Sequence, residues 1–282
     1  MNINHINNDT IRWYIPNVLR EVKGENTLYN KLVPYLDTER AWLEQNLLGD
    51  VELTEAATNL ATRVIVAKSL MMAIPSLDLV VTPTGLAVVS TSELAPASKE
   101  RVERLIASLD CVVYDNLVEL SREMFYVDGW TSSPVGQEYC STLFQGLFAV
   151  QDWHKKGADP FVEYSHIREL TTRFEAKIAE DYLGYGVMNE LRSIMAERPQ
   201  RGGYWLSWLR AQLVPVERWL IRRALQDDSL SCPDEHQFWH PMRHIIARMK
   251  SYPEIYRFWA PEMAERFDPD DSLTKTKGGV WL

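Results

Sequence analysis

The sequence predicts a mainly α-helical protein, built as two helical subdomains with one β-hairpin in the first. Three observations predict it. Apolar residues recur at steps of three and four over most of the 282 residues, the period of helices that bury one face. Residues 77–90, LDLVVTPTGLAVVS, depart from that period as two short apolar runs about a Pro-Thr-Gly turn. Gly129, Pro134, Gly136, Gly157 and Pro160 interrupt the helical pattern between the halves.

Residues 1–27 are Asn-rich with isolated Ile11, Trp13, Ile15, Val18 and Leu19, the pattern of an N-terminal arm with a helical turn or two. A first helix is predicted from about Pro34, carrying Leu36, Trp42, Leu43 and Leu47 and ending at Gly49, a residue suited to the left-handed cap. A second runs from about Thr54 to Ile74 on the stripe Leu60, Val64, Ala67, Leu70, Met71 and Ile74, with Pro75 as its stop.

In the hairpin, Leu77, Leu79 and Val81 alternate with Asp78, Val80 and Thr82 before the turn, and Leu86 to Val89 form the return run. Pro83 presets φ and Gly85 reaches the positive φ that such a turn demands. Both runs are apolar at nearly every position, so the ribbon needs covering by helices or by another chain. A long helix over 97–125 follows, with Pro96 or Ser98 at its start. Its stripe is Val102, Leu105, Ile106, Leu109, Val113, Leu117, Leu120 and Met124, and at 1.5 Å per residue it spans roughly 40 Å. The first helical domain therefore covers 28–126.

Residues 127–160 read as a connection with one short helix over Tyr139–Trp153. A helix from about Phe161 to Tyr182 follows, on Ile167, Leu170, Phe174 and Ile178, and Gly184 lies beyond it. An offset of 135 aligns Leu32 with Ile167, Leu43 with Ile178, Leu48 with Leu183 and Gly49 with Gly184. A degenerate repeat explains the match, and two unrelated helices stopping at glycine explain it as well. The helix after Gly203 carries Trp205, Trp208, Leu209, Leu213, Val216, Leu220 and Ala224, with a kink or break expected at Pro215. The second helical domain, 161–267, is Trp-rich, and 268–282 is a polar tail. The tail ends in apolar Val280, Trp281 and Leu282, which predicts docking into a groove of its own or a neighbouring chain.

Composition limits the function classes. A net charge of −9 without a basic cluster excludes specific duplex binding, which depends on neutralising phosphates. Cys111, Cys140 and Cys232 are far apart and in no metal-like spacing, as expected of reduced thiols. The N-terminus lacks a leader pattern and no uninterrupted apolar run reaches the ~18 residues of a membrane span, so a protein made and used in solution is expected.

The constellations that could carry chemistry do not hold together. His236, His240 and His244 have ligand spacing, but Pro241 favours a helix starting there, which takes the imidazoles off a common face. Asp268, Asp270 and Asp271 lack the glycine and terminal glutamate of a calcium loop. Gly202-Gly203 and Gly278-Gly279 lack the flanking residues of a phosphate loop, and no nucleophile motif occurs. No catalytic residue, metal ligand or cofactor is predicted.

The run Leu77-Asp78-Leu79-Val80, Thr82-Pro83, Gly85, Val88-Val89-Ser90, Pro96-Ala97-Ser98-Lys99 and Arg101-Val102-Glu103 resembles the core motif of an uncharacterised family of helical proteins from Bacteroidales and their phages and prophages. The resemblance covers about thirty residues strongly and the upstream helices loosely. Members are associated with phage structural modules. The resemblance therefore implies a virion component made in the host cytoplasm, a head-to-tail connector or adaptor between portal and tail, and carries no catalytic residue. A cyclic homo-oligomer of this kind needs interlocking surfaces, and an acidic ring leaves passing DNA unattached. The expected contacts with portal, tail or neighbouring subunits are Thr82, Pro83, Thr84, Gly85, Leu86 and Val88 in the hairpin, Trp13 in the arm, and Val280, Trp281 and Leu282 in the tail. The alternative is a monomeric bacterial helical protein that binds a small molecule or peptide between its halves; an enzyme ranks third.

Overall fold

The computed structural model describes residues 6–14, 28–77, 79–82, 85–88, 98–196, 204–226 and 235–250. The fold is mainly α, as the periodicity predicts. Contacts divide the chain into two compact units, one of Met1–Gln137 with Gly146–Glu163 and one of Glu138–Gln145 with Tyr164–Leu282. Residues 127–160, read from the sequence as a connection, contribute to both, and Trp130, Leu143, Phe144, Leu147 and Val150 within them are buried.

The first unit is arranged around α3 (Glu55–Leu77), which packs against α1 (Asn8–Tyr14), α2 (Leu28–Leu43) and α4 (Lys99–Glu123). Ala57, Ala61, Val64, Ile65, Val66, Ala67, Leu70 and Ala73 are all buried, so α3 is enclosed on most sides, and its alanines let neighbouring helices approach closely. Thr54 starts it: its hydroxyl accepts the Ala57 N–H at 3.1 Å and its carbonyl the Thr58 N–H at 2.9 Å. On α4 the stripe Leu109, Val113, Leu117 and Leu120 is buried, whereas Leu105, expected in it, is exposed. Beyond α3, β1 (Leu79–Thr82) runs antiparallel to β2 (Gly85–Val88) in the register Leu79 to Val88 and Thr82 to Gly85.

The second unit contains the remainder of α6 (Pro160–Ile178) with α7 (Tyr185–Ala196), α8 (Tyr204–Gln226) and α9 (Glu235–Lys250). Leu209, Leu213, Leu220 and Ile221 of α8 and Met242, Ile245, Ile246 and Met249 of α9 are buried.

Prolines depart most from expectation. Pro34 lies inside α2, Pro75 inside α3 and Pro215 inside α8, none ending its helix. Pro241 lies within α9 rather than at its start. Each removes one backbone donor, a loss that burial of the same helix's apolar stripe outweighs. The single helix expected over Tyr139–Trp153 is also replaced, by α5 (Pro134–Tyr139) and 3-10 turns at Leu147–Ala149 and Gln151–Trp153. Gly146, at φ 83°, breaks it; a Cβ there would lie 2.5 Å from the Phe148 ring.

α2 and α6 end alike. Each passes into a five-residue π-helical turn, Glu44–Leu48 and Ala179–Leu183, closed by a glycine whose N–H bonds back to the first residue of the turn. Those bonds are 2.9 Å (Gly49 to Glu44) and 2.8 Å (Gly184 to Ala179). Gly49 (φ 67°, ψ −161°) and Gly184 (φ 80°, ψ 149°) lie outside the left-handed helical region, in backbone space open essentially only to glycine. At the same offset of 135, buried Leu32, Leu36, Glu39, Leu43, Leu47 and Leu48 correspond to buried Ile167, Thr171, Phe174, Ile178, Tyr182 and Leu183. The shared turn and burial register are what a degenerate repeat would give, although helices that each bury one face and stop at a glycine share part of that register as well.

Candidate functional site

Of the expected partner residues, Trp13 is described in full. It is 80% exposed, on a helix that is otherwise tied down. The Asn7 side chain accepts the Thr10 N–H at 2.9 Å and the Asn7 carbonyl the Ile11 N–H at 3.1 Å, which starts α1. Ile6 and Ile11 are buried, the Tyr29 hydroxyl donates to the Ile6 carbonyl at 3.0 Å, and the Arg63 guanidinium lies 5.6 Å from the Tyr14 ring centre. An anchored short helix thus presents an indole to solvent. Thr82, Gly85, Leu86 and Val88 lie in the two strands, which among the described residues form a sheet with no third strand. Among the described residues each strand has one unshared ladder edge, of the kind that strand addition uses. Pro83, Thr84, Val280, Trp281 and Leu282 lie outside the described residues.

Two polar clusters in the first unit fasten its later segments. Lys68 Nζ stands 3.7 Å from Glu39 Oε2 and 3.7 Å from the centre of the Trp42 ring, and Trp42 Nε1 donates to Asp159 Oδ2 at 3.0 Å. The other Asp159 oxygen accepts the Phe161 N–H at 2.9 Å, capping α6. Burial pushes the Glu39 carboxyl up, partly offset by the Lys68 charge. In the second cluster His154 Nδ1 lies 2.6 Å from Glu163 Oε2, and its ring stacks on Tyr114 at 3.7 Å and 7°. Burial first, then the charges of Glu163, Asp115 and Asp152, push the Tyr114 phenol up to about 12.

The second unit contains a polar interior that the periodicity did not single out. Glu175 of α6 is fully buried; it accepts the Leu143 N–H at 2.5 Å and Arg192 Nε at 2.7 Å. Arg210 of α8 donates to the Leu143 carbonyl at 2.9 Å, and Gln145 Nε2 donates to the Arg192 carbonyl at 3.1 Å. The Tyr164 hydroxyl donates to the Phe144 carbonyl at 3.0 Å. Three helices thereby pin the irregular backbone of Leu143–Gln145. Two turns along α8 from Arg210, Glu217 is fully buried and neither of its carboxyl oxygens has a hydrogen-bond partner. Burial, then the Glu175 charge, push Glu217 well up, with Arg192 and Arg210 opposing. Glu175 is also pushed up by burial, opposed by Arg192, the Leu143 N–H and Arg210, and it holds two donors where Glu217 holds none.

α9 starts at Glu235, so His236, His240 and His244 occupy one helix at four-residue spacing, contrary to the boundary expected at Pro241. His244 is exposed, and among the described residues no three His, Cys, Asp or Glu side chains converge to hold a metal ion. α3 is the one described helix long and apolar enough to cross a membrane, and half of its most apolar window is buried in the fold.

Residues 15–125 match a family of unknown function (DUF6712). The matched stretch contains α2, α3, both strands and α4. No curated protein and no solved structure matches the chain.

Proposed function

We propose that this chain is a structural subunit of a phage virion, a head-to-tail connector or adaptor that assembles as a ring of identical copies between portal and tail. The observation that carries the assembly reading is Trp13: a large aromatic, 80% exposed, held out by a helix whose other side is anchored. Tryptophan dominates interface energetics when a partner desolvates it, and here its ordering cost is already met by the fold. The strand edges unshared among the described residues are a second candidate point of attachment. The portal and tail assignment rests on the resemblance of Leu77–Glu103 to proteins of phage structural modules. A charge of −9 suits a ring through which DNA passes without adhering.

Light scattering and negative-stain imaging of the purified chain, alone and with the adjoining portal and tail proteins, test this reading. Rings on the portal are expected. Trp13→Ala should leave unfolding stability within about 0.5 kcal/mol of the parent and reduce ring formation. A chain that stays monomeric with and without those proteins would overturn the proposal.

A further inference from the structure

We propose that the second unit carries an alkaline release: the Glu217 carboxyl holds a proton inside the folded unit, and its loss sets a second carboxylate against the Glu175, Arg192 and Arg210 clamp on Leu143–Gln145. The geometry on which this stands is a mismatch of partners. Glu175 uses its oxygens on Leu143 and Arg192, and Arg210 spends one terminal nitrogen on the Leu143 carbonyl. Glu217, fully buried on the same face of α8 as Arg210, has no donor to either oxygen, and Arg210 Nε likewise lacks an acceptor. A charged carboxylate cannot be held there without a donor, whereas a protonated one is tolerated.

α6 supplies Glu175, α7 supplies Arg192, and α8 itself supplies Arg210; these three act on the Glu217 carboxyl. α9, also packed on α8, brings Arg243, His244, Arg248 and Lys250 among its described side chains, and Arg248 lies 5.1 Å from the Trp208 ring centre. When the proton leaves for solvent, the carboxyl pair passes from one negative charge to two. Arg210 then turns from the Leu143 carbonyl toward Glu217, and the backbone at Leu143 loses a partner.

The sign follows from linkage. The folded state holds this proton more tightly than the unfolded chain does, so the contribution to stability is complete below the ordinary glutamate range and declines as pH rises above it. Glu217→Gln keeps the shape and removes the titration. Thermal unfolding of the full-length chain and of Glu217→Gln, measured from about pH 5 to about pH 9, should show the variant gaining on the parent as pH rises; parallel curves would overturn the proposal. Should the variant not fold, hydrogen exchange of the 138–145 peptide in the unaltered chain decides. After correction for the intrinsic rate, its protection is expected to fall by about tenfold or more over that range, and unchanged protection would refute the release.

Discussion

Trp130 links three segments of the first unit, and its replacement should be the most damaging single change there. The side chain is fully buried, its Nε1 donates to the Leu47 carbonyl at 2.7 Å, and Phe125 meets it edge-on at 5.0 Å and 78°. Leu47 lies in the π-helical turn that ends α2, where helix-end carbonyls have no partner within the helix, so the indole supplies a donor the backbone lacks. Removing the ring by Trp130→Ala should cost about 3–5 kcal/mol, the range for emptying a buried aromatic site. Trp130→Phe keeps a ring against Phe125 and strands the Leu47 carbonyl, for which about 1–3 kcal/mol is expected. At roughly 2–4 °C per kcal/mol for a chain of this size, Trp130→Ala should lower the midpoint by roughly 6–20 °C. Urea and thermal unfolding followed by far-UV circular dichroism measure both variants. A Trp130→Ala loss under about 0.5 kcal/mol would refute the reasoning, because surface substitutions already fall in that range.

Two further outcomes follow from the same region and its neighbour. A Cβ at Gly136 would lie 1.9 Å from the Trp130 carbonyl oxygen, a backbone atom that cannot swing aside, so Gly136→Ala should destabilise by about 1–3 kcal/mol or more in urea unfolding. Burial pushes the Cys140 thiol up to about 11 while Cys111 is exposed, so near pH 8 Cys140 should alkylate at least roughly tenfold more slowly than Cys111 in the folded chain, with the difference lost in denaturant, as read by peptide mass spectrometry.

The apolar period located α3, α4, α6 and the start of α8 to within a few residues, because burial of one stripe is what holds them; it placed the starts of α2 and α9 about six residues late and did not single out α7. It misjudged where prolines break a helix for a related reason: a proline costs one hydrogen bond, and a stripe such as Leu209, Leu213, Leu220 and Ala224 carries α8 through Pro215 without a break. The polar interior was legible in principle. Stepping through α8 by three and four, Leu206, Leu209, Leu213, Glu217, Leu220 and Ala224 are buried, with glutamate at a position the period reserves for the core. Following the apolar letters led instead to Val216, which is only half-buried. Trp13 was legible as an isolated aromatic in a polar arm, but its anchorage depends on Arg63 and Tyr29, contacts that spacing does not encode.

The shared ending of α2 and α6 separates what the fold repeats from what each unit uses. Backbone and burial agree at an offset of 135, yet the chemistry at matched positions does not: Glu39 faces Lys68 in the first unit where Phe174 stands in the second, and Arg40 of the first corresponds to buried Glu175. A π-helical turn closed by glycine fixes where its own helix stops, but α3 starts six residues after Gly49 and α7 directly after Gly184, so the likeness ends at the glycine. Function therefore has to be sought in what each unit adds to the common frame. The first adds the anchored Trp13 and a two-stranded ribbon after α3, the parts the proposed assembly would use; the second adds two buried carboxyls, Glu175 held by Leu143 and Arg192 and Glu217 without a donor, the parts the proposed release would use. Mutations in the two sets should accordingly separate, the first changing assembly at constant stability and the second changing stability with pH at constant assembly.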